Sequence, residues 1–269
     1  MILDVMQSSQ RNTPDSSTRL VSVIIPAKDE ASTINSIITK IKQRLSKYNF
    51  EIITVDDGSK DNTAEIARAT ESIVISHKHN LGKGAAMKTG VGKSKGNIIV
   101  FIDSDGAHDP KDIPGIITLI IQNKADFVIG SRALRGSNLS GSPLARRLSN
   151  NLASFIISVI ISFFPAPTTR IAKQQGGEYH LINGRLKRIT DCTSGFRAIT
   201  RDAWQRLNLA SDGFQIETEM LYEAARNKLI MAEVPISCNW DSRLSRLSII
   251  QDGLRTLKLL LKKLLQKNR

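Results

Sequence analysis

Asn97-Ile-Ile-Val-Phe-Ile-Asp-Ser-Asp-Gly106 decides the fold, because five apolar residues stop abruptly at two carboxylates, Asp103 and Asp105, spaced i, i+2. A strand of Ile, Val and Phe without polar alternation belongs on the inside of a parallel sheet, buried on both faces. In open α/β sheets ligands collect outside the carboxyl ends of such strands. Two acids at that place suit a hard divalent cation, and a cation held by one or two carboxylates usually brings phosphates with it. Acids also end strands simply as turn formers. The calcium loop of an EF-hand is excluded, since its fifth and sixth positions would fall on Ala107 and His108 instead of an oxygen donor and Gly.

Outward from this strand the chain alternates. Strands are expected at Leu20 to Ile25, Phe50 to Val55, Ser72 to Ser76 and Ala125 to Ile129, with helices at Ala31 to Leu45, Thr63 to Ala69, Gly84 to Lys93 and Ile113 to Gln122. Such alternation predicts an α/β fold built on a mostly parallel sheet flanked by helices. Residues 1–18 read as a loose polar arm, 19–242 as one α/β domain and 243–269 as a basic amphipathic segment. The helix expected over 144–164 carries an apolar run from Leu152 to Phe164, shorter than the roughly 20 residues a bilayer crossing needs. It reads as buried or half-inserted. In the last segment Leu247, Ile250, Leu254, Leu257, Leu261 and Leu264 fall at helical spacing between lysines. That pattern fits a membrane-surface or partner-binding helix, and equally a helix packed on the core with a solvated basic face.

The net charge of +13 is concentrated in two places. Residues 165–190, a basic stretch, hold Arg170, Lys173, Arg185, Lys187 and Arg188 against Glu178. Residues 243–269 hold eight basic side chains against Asp252. The remainder is close to neutral, which argues against a chain coated in charge for nucleic acid. Two cysteines, Cys192 and Cys238, make no disulfide framework, and the N-terminus lacks a signal-peptide pattern. A cytoplasmic protein is expected.

Other strand ends are acidic too. The first leads into Pro26-Ala-Lys-Asp-Glu30 and the second into Asp56-Asp57-Gly58-Ser59. Clustered carboxylates repel unless a cation or donor groups accompany them, so Asp56, Asp57, Asp103 and Asp105 together point to a ligand site. Asn80-Leu-Gly-Lys-Gly84 adds glycines and a lysine at a helix start, suited to a phosphate or nucleotide. A P-loop ending at Ser94 and a dinucleotide fingerprint from Gly82 and Gly84 both fail at Met87. Arg132 follows a strand, and Arg197 closes Asp191-Cys-Thr-Ser-Gly-Phe-Arg197. Arginines beside a diphosphate site match phosphate geometry.

Val21 to Glu30, Val55-Asp-Asp-Gly-Ser59, Leu81-Gly-Lys-Gly-Ala-Ala86, Asp103-Ser-Asp105, Ile129-Gly-Ser-Arg132, Thr193-Ser-Gly-Phe-Arg197, Gly213 to Glu219 and Val234-Pro-Ile236 form an ordered set. It resembles the family 2 glycosyltransferases, in particular those that make dolichol-phosphate mannose and related polyprenyl-phosphate sugars. The resemblance implies a GT-A fold, Mg²⁺ or Mn²⁺ on Asp103 and Asp105, and inversion at the anomeric carbon. Donor contacts would come from Pro26, Ala27, Glu30, Asp56, Asp57, Lys83, Asp103, Ser104 and Asp105. Arg132, Ser194, Arg197, Arg243 and Arg246 would face the acceptor, with Asp105, Arg132 and Asp191 catalytic, Asp191 as base or positioning group. The chain departs from the pattern at Ala107, where many relatives carry a Gln ligand, in the insertion before Asp191, and in lacking a following membrane domain.

The expected partners are a sugar nucleotide (GDP-mannose or UDP-glucose), a polyprenyl or dolichyl phosphate, and the cytoplasmic face of a membrane, with a separate membrane subunit possible and no nucleic acid. An alternative within the class glycosylates a sugar hydroxyl of a glycolipid or polysaccharide. Outside it, Ile102-Asp-Ser-Asp-Gly106 resembles the first motif of haloacid-dehalogenase-like phosphatases, but about a hundred residues precede it here and no later Gly-Asp pair accompanies it. A non-catalytic membrane-bound scaffold is the third reading, opposed by the intact acids.

Overall fold

Four strands with the composition read above make one half of a sheet: β1 (Val21–Ala27), β2 (Phe50–Asp56), β3 (Ile73–Ser76) and β4 (Ile98–Phe101). The computed structural model describes residues 19–134, 137–140, 144–164, 180–182, 189–239 and 249–266. β1 lies parallel between β2 and β4, with Val23 beside both Ile52 and Val100, and β3 runs parallel to β2. The strand ends that carry the acids are thus neighbours on one edge.

Helices cover both faces because their apolar positions recur every three or four residues. On one face α1 (Ile34–Arg44) and α4 (Ile113–Ile121) bury Ile37, Ile41, Ile116 and Ile120 against Val23, Ile25 and Val100. On the other, α3 (Lys83–Lys93) and α7 (Ile216–Arg226) bring Met87 and Met220 against Ile24, Ile53 and Ile99. α2 (Thr63–Ala69) connects β2 to β3.

The second half is mixed. β5 (Phe127–Ser131) and β9 (Met231–Pro235) are parallel, β8 (Arg197–Thr200) is wedged antiparallel between β4 and β5, and β7 (His180–Ile182) closes the edge antiparallel to β9. The order is β3-β2-β1-β4-β8-β5-β9-β7. β6 (Asn138–Ser140) and β10 (Ser237–Asn239) pair separately, in parallel. Arg197, at the end of the Asp191 segment, opens β8, where Ala198 and Ile199 fill opposite faces of the sheet. Thr200 then starts α6 (Arg201–Gln205) by accepting a bond from the Ala203 N–H at 3.1 Å.

α5 (Leu144–Ser162) is two-sided. Its serines serve the 189–192 segment, with Ser158 Oγ accepting from the Ile189 N–H at 2.9 Å and Ser154 Oγ from the Cys192 N–H at 3.0 Å. Ile157 and Ile161 are buried, while Leu148, Leu152, Phe155, Val159 and Phe163 are exposed. α8 (Ile249–Gln266) packs on α5 and α7 through Leu260, and leaves Leu254, Leu257, Leu261 and Leu265 exposed. Lys263 fastens it, 2.9 Å from Glu219 Oε1 and 2.6 Å from Glu223 Oε1, both carboxylates buried. Among the described residues no helix is long and apolar enough to cross a membrane. The N-terminal arm, Arg243, Arg246 and most of the basic insertion lie outside the described residues.

Candidate active site

The edge where β1, β2 and β4 end is held by its own polar side chains. Ser104 Oγ donates to the Pro26 carbonyl at 2.9 Å, and Thr33 Oγ1 donates to the Ser104 carbonyl at 2.7 Å. These bonds lock the Asp103 to Asp105 turn onto the end of β1, beside Ala27 and Glu30. The Glu30 carboxylate lies 3.1 Å from the same Thr33 hydroxyl. Asp105 is exposed, and its Oδ1 accepts from the Ala107 N–H at 2.9 Å.

Asp56 and Asp57 are nearly buried and shape turns. Asp56 Oδ1 accepts from the Ser59 N–H at 3.0 Å. Asp57 accepts from the Leu81 and Gly82 N–H groups, each at 2.8 Å, and pairs with His77 Nδ1 at 2.7 Å. The Asn80 to Gly84 turn is therefore preset. Gly82, at φ 100°, and Gly84 allow it to lie against residues 211–213: a Cβ on Gly84 would meet the Ser211 carbonyl at 2.5 Å.

This turn delivers Lys83. Its Nζ lies 2.5 Å from Asp103 Oδ1 and 2.6 Å from Glu217 Oε1. Burial works against the ammonium charge, but Asp103 and Glu217 outweigh it and hold the lysine above its ordinary range. Burial likewise opposes the Asp103 carboxylate, and the Lys83 ammonium overcomes it. Burial pushes the His108 imidazole down, toward neutrality, against the pull of Asp103.

Arg132, at the end of β5, is gripped by Asp191: Nε to Oδ2 at 2.7 Å, a second guanidinium nitrogen to Oδ1 at 2.8 Å, and the Arg132 backbone N–H to Oδ2 at 3.0 Å. Asp191 is wholly buried; burial would raise its carboxyl, but Arg132 holds it below the usual range. Among the described residues the acids, Lys83 and Arg132 come together at one rim. Arg197 and Ser194, expected to face the acceptor, are placed beneath it, both with no exposure. The Arg197 guanidinium donates to the carbonyls of Ser194 at 2.5 Å, Cys192 at 2.6 Å and Glu217.

Three groups escape a reading of the sequence. Glu217 stands in the first turn of α7, where an acid is ordinarily a helix-dipole partner. His108 carries no motif of its own. Glu233 lies inside β9, wholly buried, and accepts from the Thr190 and Asp191 N–H groups at 3.0 and 3.1 Å, fixing the base of Asp191.

Burial pushes Glu233 from 4.5 up to about 7. The folded state then holds a proton that the unfolded chain has released, so stability falls as pH rises from 4.5 toward 7. This one group should remove about 3 kcal/mol across that window, and Glu233→Gln should abolish its share. Chemical denaturation at about pH 5 and about pH 7.5 compares the two chains. An equal slope in both would disprove the assignment.

Among the described residues no three carboxylate, imidazole or thiol groups form a ready metal cage. The donor set at the rim, Asp103 and Asp105, nevertheless suits a hard cation that takes the rest of its shell from a bound diphosphate.

The sequence model of Glycosyl transferase family 2 matches residues 22–207. A UDP-N-acetylglucosamine–dolichyl-phosphate N-acetylglucosaminyltransferase of Methanococcus voltae is 32% identical over 241 residues, 81% of this chain and 85% of that protein. A dolichol-phosphate mannosyltransferase of Pyrococcus furiosus is 28% identical, covering 81% of this chain and 56% of its own length. Among solved structures, the glucosyl-3-phosphoglycerate synthase of Mycobacterium tuberculosis superposes with a TM-score of 0.64 at 21% identity, covering 91% of this chain and 80% of that one. The sheet is of the GT-A type, and the family match spans β1 to α6, including every strand end that carries the acids. The chain belongs to glycosyl transferase family 2 and is a glycosyltransferase.

Proposed function

We propose that this glycosyltransferase moves a hexose from a sugar nucleotide to the phosphate of a polyprenyl or dolichyl phosphate, with inversion, at the cytoplasmic face of a membrane. The observation that carries this reading is the Arg132–Asp191 pair. Asp191 is spent on positioning Arg132 and is held ionised without exposure, so it makes a poor base toward a sugar hydroxyl. A phosphate monoester, with a second pKa of about 6, is already largely dianionic and attacks without one. Arg132 supplies the planar cation that such an acceptor needs.

Donor groups at the opposite side of the rim are Pro26, Ala27, Glu30 and Lys83, over the turn held by Asp56 and Asp57. A divalent cation, Mg²⁺ or Mn²⁺, on Asp103 and Asp105 would supply positive charge to the departing diphosphate. Lys83 adds a fixed, partly desolvated charge beside it. The names of the relatives make mannose, glucose and N-acetylglucosamine the hexoses to test. The exposed leucines of α8 and the outer apolar row of α5, beside exposed Lys258 and Lys262, suit a membrane surface carrying anionic lipid.

The test is product formation from labelled GDP-mannose, UDP-glucose and UDP-N-acetylglucosamine with a short polyprenyl phosphate, with and without Mn²⁺. Lipid-extractable label from one donor is expected. Donor hydrolysis without labelled lipid would reject the acceptor. In vesicle flotation, Leu257→Glu with Leu261→Glu should weaken binding by about tenfold while transfer to the short acceptor continues; unchanged flotation would remove α8 from the membrane reading.

Gly195 gives a sharper internal check. A Cβ there would meet Asp103 Oδ1 at 2.6 Å, Lys83 Nζ at 2.6 Å and, closer still, Asp103 Oδ2. These are side-chain ends and give way, so Gly195→Ala should displace the pair without unfolding the chain. A loss of about a hundredfold in kcat at a nearly unchanged Tm is expected. Full activity would mean that this pair is not part of the machinery.

A further inference from the structure

Residue 107 is alanine, whose methyl group offers nothing to a cation, and the next side chain is His108. His108 is only 3% exposed, yet neither ring nitrogen has a hydrogen-bond partner among the described residues. Buried polar groups are ordinarily satisfied, and each one left unmet costs about 1 to 3 kcal/mol. The ring is not free to seek a partner elsewhere. Its backbone bridges to Cys238, and the ring packs on Phe196 at a centroid distance of 5.5 Å.

Nδ1 is aimed at the acid pair. It lies 3.7 Å from Asp103 Oδ2, the oxygen left over once Oδ1 has taken the Lys83 ammonium. That separation is beyond a hydrogen bond. Two donors on a cation with bonds of about 2.1 Å sit about 3 Å apart, so a small rotation brings Nδ1 and Oδ2 to ligating separation. Asp105, exposed at the same turn, is within electrostatic reach of the ring.

Resting on the reading of Asp103 and Asp105 as the cation site, we propose that His108 is a third protein ligand, its Nδ1 taking the place that residue 107 cannot fill. The site is then a nitrogen-and-oxygen site instead of an all-oxygen one. Nitrogen donors favour Mn²⁺ and later first-row ions over Mg²⁺, so this substitution of ligand shifts metal choice as well as affinity.

The test uses the full chain with Mn²⁺ and either UDP or GDP, read by electron spin echo envelope modulation. The wild-type protein should show ¹⁴N modulation that converts to a ¹⁵N pattern when the protein, but not the nucleotide, carries [¹⁵N]histidine. This arm needs no variant, so it survives any folding defect. His108→Ala, checked by circular dichroism, should lose the modulation and weaken Mn²⁺ by about tenfold or more, with Mg²⁺ changed by about threefold at most. Bound Mn²⁺ without nitrogen modulation would overturn the ligand and leave the transferase reading standing. Modulation that persists in His108→Ala would assign a different histidine. Nucleotide bound with no Mn²⁺ at all would overturn both the ligand and the cation site.

Discussion

Asp105→Ala is expected to lower kcat for sugar transfer by about three orders of magnitude while shifting stability by no more than about 0.5 kcal/mol. The separation follows from where the carboxylate sits. Asp105 is exposed and its bond in the fold is to the Ala107 N–H, one turn-closing contact at 2.9 Å. Little of the core depends on it. Its loss leaves Asp103 to hold a cation with a single oxygen, because Asp103 Oδ1 is committed to Lys83 at 2.5 Å. Steady-state rates at saturating donor and acceptor, beside a melting curve, check the pair of claims. A variant that unfolds would show that the rate loss came from structure, and one that keeps its rate would remove Asp105 from the mechanism.

Arg197→Ala should do the reverse and destabilise the chain by about 4 kcal/mol. The guanidinium has no exposure, and burial depresses its pKa. It stays because three carbonyls, of Ser194, Cys192 and Glu217, accept from it, and because the Phe127 ring lies 5.8 Å away. Alanine would remove the guanidinium donors from these carbonyls and open a cavity between β8 and α7. Lysine should rescue little, since one ammonium lacks the planar fork that reaches three acceptors. Urea denaturation of both variants checks this. A loss below about 1 kcal/mol would mean that water replaces the guanidinium.

The difference between these two residues explains what the sequence makes legible. Asp103 and Asp105 announce themselves because a buried strand of Ile and Val stops at them and neighbouring strand ends are acidic too. The parallel half of the sheet follows from the same runs. Arg197 is opaque: it reads as a cation facing the acceptor, and only the convergence of the Ser194 and Cys192 carbonyls with that of Glu217 from α7 turns it into a buried clamp. β8 is hidden for a related reason, since Arg197 to Thr200 is short and its place is set by pairing across about a hundred residues to β4 and about seventy to β5. Asp57 and Asp191 stand out as acids, but their tasks, presenting the Asn80 to Gly84 turn and gripping Arg132, depend on partners that spacing does not reveal.

The fastening of α8 has a practical side. Its outward leucines make it the segment that anyone seeking a better-behaved protein would trim first. Yet Glu219 and Glu223 lie buried at its inner face, answered by Lys263 alone of the α8 side chains described. The same Glu219 carboxylate holds the Ala210 and Ser211 N–H groups at 2.9 and 2.8 Å, ahead of the loop on which Gly82 and Gly84 rest. A chain shortened after residue 248 would leave two carboxylates in the core without their ammonium and loosen the seat of Lys83. Solubility is better sought by changing the exposed leucines to polar residues and leaving the helix, with its one inward lysine, in place.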